Sequence, residues 1–254
     1  MSKQSFCWWS FYQAGTDPAF LLKTAAEIGF VAVELIGSQH WAMAREFGLQ
    51  IAAVDGHDSK GCTFGLNHLE HHQEVISQIK SNLQLAVKWQ IPNLIVFSGN
   101  RNGLSDEAGA DNTARGLQQV AQMAEDAGVT LVLELLNSKI DHPDYQCDHT
   151  NWGVKVIEMV DSPNVKLLYD VYHMQIMEGD LIRTVKTHHR HFAHYHLGGN
   201  PGRHEINAKQ EINYAAVLKT IAQTGYTGFV AHEYLPTTNP ITSLQEAFEI
   251  VAQS

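Results

Sequence analysis

Four side chains able to bind a metal ion close four successive apolar runs in the second half of this chain. They are Glu134 after Leu131-Val132-Leu133, Asp170 after Leu167-Leu168-Tyr169, His196 after Ala193-His194-Tyr195, and Glu233 after Phe229-Val230-Ala231-His232. Three carboxylates and one imidazole make an oxygen-rich set, which suits Mn²⁺, Mg²⁺, Co²⁺ or Fe²⁺ better than a thiolate-built structural zinc site. Four protein ligands leave positions open on a six-coordinate ion. Adjacent carbonyl and hydroxyl oxygens of a substrate could take those positions, with the carbonyl polarised. Removing the proton beside that carbonyl needs a base and returning it needs an acid; Glu134 and Glu233 can supply both. Any one of the four reads equally well as a strand-end cap or a salt-bridge partner. All four together do not, because buried acids are costly unless paired or metal-bound.

The elements that must position this quartet follow from its spacing. The intervals of 36, 26 and 37 residues are close to the roughly 30 or more that a strand-helix-strand unit consumes. Short runs rich in β-branched and aromatic residues alternate with stretches of helical period, the pattern of parallel strands with crossover helices. Eight such pairs are predicted, with strands near 3–9, 30–36, 50–55, 93–98, 129–135, 165–171, 191–197 and 228–234. The expected fold is α/β, a single (β/α)8 TIM barrel with an eight-stranded parallel sheet occupying residues 1–254 as one domain. In barrels of this class polar residues closing the strands build the active site on the C-terminal rim. Glu134 and Glu233 would then stand on strands five and eight, on opposite sides of the ring, as a two-base proton transfer requires. Helix boundaries are legible too. Thr16-Asp17-Pro18 opens a helix and Gly29 closes it, while Gly128 and Gly225 end helices near 112–127 and 213–224. Val75, Ile79, Leu83 and Val87 repeat at four-residue intervals within 67–91 and predict an apolar stripe on a covering helix.

Composition narrows the function class. The formal charge is −10 with histidines neutral, and Lys and Arg do not cluster, which opposes the electrostatic footprint of a nucleic-acid binder. A small-molecule substrate is expected instead, and an anionic one is compatible, since one well-placed Arg holds a carboxylate through two parallel hydrogen bonds. Cys7, Cys62 and Cys147 are odd in number and lack metal-ligand spacing, so a disulfide framework is not expected and a cytoplasmic location fits. Phe6-Cys7-Trp8-Trp9 lacks the anatomy of a signal peptide, and no run approaches the ~18 apolar residues of a membrane span. Barrels often pair through surface helices, so a homo-oligomer stays open.

Several segments carry a resemblance. Leu133-Glu134-Leu135-Leu136-Asn137, Tyr169-Asp170-Val171-Tyr172-His173-Met174-Gln175, His194-Tyr195-His196-Leu197-Gly198-Gly199, Pro201-Gly202-Arg203-His204-Glu205, Glu211-Ile212-Asn213-Tyr214 and His232-Glu233-Tyr234 resemble the xylose-isomerase-like barrels. Within that superfamily the likeness is to hydroxypyruvate isomerase first and to ketose 3-epimerases next. It covers residues 130–235 well and the first half in pattern only. The resemblance implies that Glu134, Asp170, His196 and Glu233 bind a divalent metal ion, that the two glutamates double as acid and base, and that His173 and Arg203 touch substrate oxygens. His196 follows the epimerases, since hydroxypyruvate isomerases carry Gln there. The Arg-His-Glu and Glu-Ile-Asn-Tyr segments pull the other way, and the epimerases' Asn-Arg-Phe-Glu continuation is absent after Glu134.

Two further readings concern loops. Arg203, in a Gly-rich loop directly after a strand, could clamp a carboxylate or hydroxyls, the alternative being an ordinary loop salt bridge. His57, in Val54-Asp55-Gly56-His57 after the third strand, is a candidate for substrate contact with a turn role as its alternative. Trp8 and Trp9 read as the end of strand one, where one could form an apolar wall against a sugar-like carbon chain, with core packing the safer reading for either. The function expected is metal-assisted isomerisation of a small hydroxy-keto acid or sugar through an enediolate. The alternatives are a ketose 3-epimerase, a metal-dependent endonuclease and a non-catalytic sugar-binding protein.

Overall fold

The computed structural model describes residues 3–57 and 60–253. Its strands are β1 (Lys3–Cys7), β2 (Ala32–Glu34), β3 (Gln50–Ile51), β4 (Ala53–Asp55), β5 (Asn93–Val96), β6 (Thr130–Glu134), β7 (Val165–Asp170), β8 (Phe192–Leu197) and β9 (Phe229–His232). They form one sheet in the order β3-β2-β1-β9-β8-β7-β6-β5-β4. β3 and β4 are two pieces of one extended run interrupted at Ala52. The Ala52 N–H donates to the Val33 carbonyl at 3.0 Å, whereas beyond β4 the Gly56 N–H donates to the Ile95 carbonyl at 2.7 Å. The sheet thus begins and ends on neighbouring residues of the chain. This is the expected eight-stranded (β/α)8 barrel with its third strand broken, and helices alternate with the strands.

Contacts group the chain into two compact units, Met1–Ala53 with Asp180–His189 and Tyr195–Ser254, and Val54–Gly179 with Arg190–His194. In the first, Phe6 meets Phe11 and Phe30 edge-on with ring centroids 5.9 and 5.4 Å apart, and Phe11 meets Tyr234 at 5.1 Å. These T-shaped contacts add to the area the rings bury. In the second, β5, β6 and β7 pair in parallel, and Leu94, Ile95, Val96, Leu131, Leu133, Leu167 and Leu168 are fully buried, as strands covered on both faces require.

Helix boundaries follow the chemistry of their ends. Asp17 accepts the Ala19 N–H and Pro18 begins the helix Pro18–Ile28, which Gly29 closes at φ 121°. Asp106–Ala127 starts six residues earlier than the apolar pattern indicates, because Ser105 caps it and Asp106 and Glu107 complement its positive end. In His72–Trp89, Val75, Ile79 and Leu83 are buried but Val87 is 53% exposed and Ala86 takes its place. Steps of four residues overshoot the 3.6-residue turn, so the fourth member of the stripe has rotated off the buried face. Trp8 and Trp9 do not extend β1, which stops at Cys7 and turns into the short helix Trp8–Phe11. Among the described residues no helix is long and apolar enough to cross a membrane.

Candidate metal and catalytic site

Every strand that carries a member of the quartet presents it within one residue of its C-terminal end. In the first unit the register pairs Cys7 with Glu34, His196 with Ala231 and Leu197 with His232. The Glu233 N–H donates to the Leu197 carbonyl at 2.9 Å, which sets Glu233 one step beyond β9. Side chains alternate along a strand, so His232 and Glu233 go opposite ways. His232 turns into the apolar layer: its Nε2 donates to Gln4 Oε1 at 2.9 Å, its ring meets Phe30 edge-on, and burial pushes its pKa down to about 3. Glu233 turns to the site and collects donors. Trp9 Nε1 gives it a hydrogen bond at 3.2 Å, Arg203 Nη2 pairs with Oε2, and His196 Nδ1 lies 3.0 Å from Oε2. The other nitrogen of that ring, Nε2, lies 3.2 Å from Glu34 Oε2. The imidazole of His196 is therefore held between two buried carboxylates.

Arg203 reaches Glu233 because its loop folds back on itself. Gly199 and His204 form an antiparallel bridge, and a Cβ on Gly199 would come within 2.2 Å of the Glu205 carbonyl oxygen; only glycine fits that approach. Arg203 sits at φ 56°, and its guanidinium lies 5.2 Å from the Trp9 ring centroid, a cation–π distance. Its ion-pair partner is Glu233 rather than nearby Glu205, whose carboxylate accepts from the Thr237 N–H and the Thr237 and Ser243 hydroxyls.

In the second unit Glu134 closes β6 and Asp170 closes β7, both buried. Asp170 is also the N-cap of the helix Val171–Met177, with Oδ1 accepting the His173 N–H at 3.0 Å. That bond fixes the carboxylate rotamer by the same logic that caps any helix. Asn137 Oδ1 accepts the Ile140 and Asp141 N–H groups, so its amide nitrogen is the donor to His173 Nδ1 at 2.6 Å. The proton of a neutral His173 therefore resides on Nε2, which lies 3.7 Å from Asp170 Oδ2. Tyr145 joins the ends of two strands: its hydroxyl accepts the Ser98 N–H at 3.1 Å and donates to the Glu134 carbonyl at 3.0 Å.

The four predicted residues divide between the units: buried Glu134 and Asp170 close β6 and β7 in the second, and His196 and Glu233, in contact at 3.0 Å, lie at the ends of β8 and β9 in the first. His57 is placed differently. It is buried, its Nε2 accepts the Phe97 N–H at 3.0 Å, and burial lowers its pKa to about 4. That bond is the turn role, tying the end of β4 to the residue after β5. His57 has a measurable consequence. Below the ordinary value of 6.5 the unfolded chain takes up a proton that the folded His57 refuses until about pH 4. Its contribution to stability is whole above pH 6.5 and drains away between 6.5 and 4. Between pH 7 and 5 the loss should be about 2 kcal/mol from this residue, at 1.36 kcal/mol per pH unit. His57→Gln, whose carbonyl can accept the same N–H, should flatten the fall by that amount in urea titrations of the metal-free protein. Parallel curves would show that His57 protonates freely in the folded state.

Two participants are not among the predicted site residues. Glu34 closes the run Phe30-Val31-Ala32-Val33 just as the other acids close theirs, so the same rule would have found it. Trp9 is 40% exposed and bonded to Glu233, where core packing was expected; in an unbroken aromatic run nothing marks which ring faces out.

A parallel barrel with buried carboxylates and an imidazole at the C-terminal ends of its strands has the layout of a barrel enzyme. The model of the xylose isomerase-like TIM barrel family matches residues 22–253, and the chain belongs to that family. It is 33% identical to a hydroxypyruvate isomerase of Escherichia coli over 143 residues, 56% of this chain and 55% of that one. It is 26% identical to a 2-oxo-tetronate isomerase of Haemophilus influenzae over 232 residues, covering 87% and 89% of the two chains. By such relatives the chain is an isomerase. Solved structures of similar fold include an AP endonuclease, family 2, from Brucella melitensis, with TM-score 0.83, 23% identity and coverage of 95% and 96%. A D-psicose 3-epimerase from Clostridium cellulolyticum superposes with TM-score 0.80 at 17% identity over 99% and 98%.

Proposed function

We propose that this chain is a divalent-metal-assisted isomerase of a short hydroxy-keto acid, of the hydroxypyruvate isomerase kind, with Glu134 and Glu233 as its acid and base. The observation that carries the proposal is that buried Glu134, Asp170, His196 and Glu233 stand at the ends of four strands of one barrel, the ends on which such barrels build their sites. Their chemistry fits a hard divalent ion such as Mn²⁺, Mg²⁺ or Co²⁺. Three nearly buried carboxylates repel one another and have lost most of their hydration, a cost that a divalent cation offsets. When bound, the ion would polarise the substrate carbonyl and acidify the neighbouring C–H.

The remaining work falls to side chains. One glutamate takes the proton from the hydroxyl-bearing carbon to leave the enediolate, and the other returns a proton to the former carbonyl carbon, while the hydroxyl's proton passes to the former carbonyl oxygen so that hydroxyl and carbonyl exchange places. Arg203 holds Glu233 through Nη2 and has further N–H donors with which to meet a substrate carboxylate. His173, with its proton on Nε2, would donate to a substrate oxygen. Names of relatives favour small keto-acids: hydroxypyruvate and 2-oxo-tetronate both carry a carboxylate beside a carbonyl.

The imidazole at 196 favours one competing reading, ketose 3-epimerisation, which uses the same two acids on another carbon. Turnover in D₂O followed by NMR separates the two. Deuterium at a carbon exchanged between carbonyl and hydroxyl, with hydroxypyruvate or a four-carbon 2-keto-acid as substrate, supports isomerisation. Label confined to an inverted hydroxyl carbon of a ketose would replace it with epimerisation.

A further inference from the structure

The buried acid that the proposed chemistry leaves without a task is Glu34. It is fully buried and is not one of the proposed ligands, yet it contacts one of them, His196. Its two oxygens have separate partners. Oε1 accepts the Ser5 hydroxyl at 2.5 Å, and Oε2 lies 3.2 Å from His196 Nε2. Both Ser5 and Glu34 are on adjacent paired strands, with Ser5 opposite Ala32 and Cys7 opposite Glu34, so the carboxylate is clamped at one oxygen and aimed with the other.

We propose that Glu34 is a positioning residue that fixes the His196 tautomer, holding the proton on Nε2 and turning the Nδ1 lone pair toward the ion. The inference rests on the metal-site reading above. An imidazole has one acceptor nitrogen when neutral, and the hydrogen bond made by the other nitrogen decides which it is. Nδ1 faces Glu233 Oε2 at 3.0 Å, on the ligand side, and Nε2 faces Glu34. A carboxylate behind a metal-bound imidazole orients the ring and raises its basicity, and loss of such a partner weakens metal binding by about 10–100-fold. Ser5 completes the relay by removing the rotational freedom of the Glu34 carboxylate. This also accounts for a fully desolvated acid, which would otherwise be a cost with no return.

The test uses Glu34→Gln and Glu34→Leu with two readouts. Mn²⁺ affinity is measured by EPR titration, and the ¹⁵N shifts of His196 are measured in metal-free, histidine-labelled protein. In the wild type, Nε2 should be the protonated nitrogen. Gln keeps an acceptor but not the charge, so it should retain that tautomer while weakening Mn²⁺ binding about tenfold. Activity should return as Mn²⁺ is raised. Leu should scramble the tautomer and weaken binding toward 100-fold; should Leu fail to fold, Gln alone decides. Mn²⁺ affinity within about twofold of wild type in a folded Glu34→Gln, or a wild-type His196 protonated on Nδ1, overturns the proposal. Failure of the wild type to bind Mn²⁺ at all would instead defeat the metal-site reading, and the tautomer measurement would still decide the role of Glu34.

Discussion

Glu134→Gln and Glu233→Gln should each lower kcat by about 10²–10⁴-fold, the range that a positioned acid or base contributes, with circular dichroism unchanged. Gln preserves the shape of each side chain and removes its ability to hold or pass a proton. The contacts of Glu233 make its variant the more informative. Trp9 Nε1 and Arg203 Nη2 both donate to its oxygens, and a neutral amide keeps an acceptor for only one of them. Each variant also loses a proposed metal ligand, so kcat must be compared at saturating Mn²⁺. A two-base mechanism adds a sharper signature. Whichever glutamate takes the first proton can still exchange it with solvent when its counterpart is disabled. One variant should therefore wash deuterium into the starting substrate without forming product, and the other should do neither. Near wild-type turnover in both variants would remove the acid–base assignment and favour a sugar-binding protein. Loss of wash-in and turnover together in one variant, with both retained in the other, would point to a single-base mechanism.

How much of this could be read in advance depended on whether a signal was local. Asp170 and Glu134 were legible because a polar residue closing a buried apolar run has few structural explanations, and each recurs at the spacing of a βα unit. The caps at Asp17 and Gly29 were legible for a similar reason, since three neighbouring residues carry the whole instruction. Broken strand three was not, because its interruption at Ala52 is written in hydrogen bonds to Val33 on one side and beyond β4 to Ile95 on the other, residues far apart in sequence. Trp8 and Trp9 sit in a run apolar under either period, and such runs do not distinguish a strand end from a helical turn. Glu34 obeys the same strand-end rule as the other acids; what that rule does not carry is its role, which arises from the orientation of a ring 162 residues away. Loops show the same limit: that Arg203 pairs with Glu233 rather than Glu205 is set by the fold-back at Gly199, a tertiary approach with no sequence signature beyond the glycine.

Removing divalent metal should abolish turnover and, independently, lower thermal stability. Both effects follow from the burial of Glu134, Asp170 and Glu233. In the apo protein those carboxylates have lost most of their hydration, and the native state carries that cost while the unfolded chain does not. An ion that binds the folded site and not the unfolded chain stabilises by about 2.7 kcal/mol at one hundred times its dissociation constant. For a chain of 254 residues, with an unfolding entropy of about 2.1 cal/mol/K per residue, that corresponds to a rise in Tm of roughly 5 °C. Dialysis against EDTA followed by differential scanning calorimetry, with and without added Mn²⁺, reads the shift. Activity should return with Mn²⁺ or Co²⁺ in the same titration that restores Tm. The pH dependence has a definite sign: ligand oxygens and the His196 nitrogen must be deprotonated to bind, so the Mn²⁺-dependent increment should shrink as pH falls. An EDTA-treated protein with full activity and an unmoved Tm would mean that the quartet is held together by protons and Arg203 alone. In that case the isomerase chemistry would have to proceed from the two glutamates without an ion.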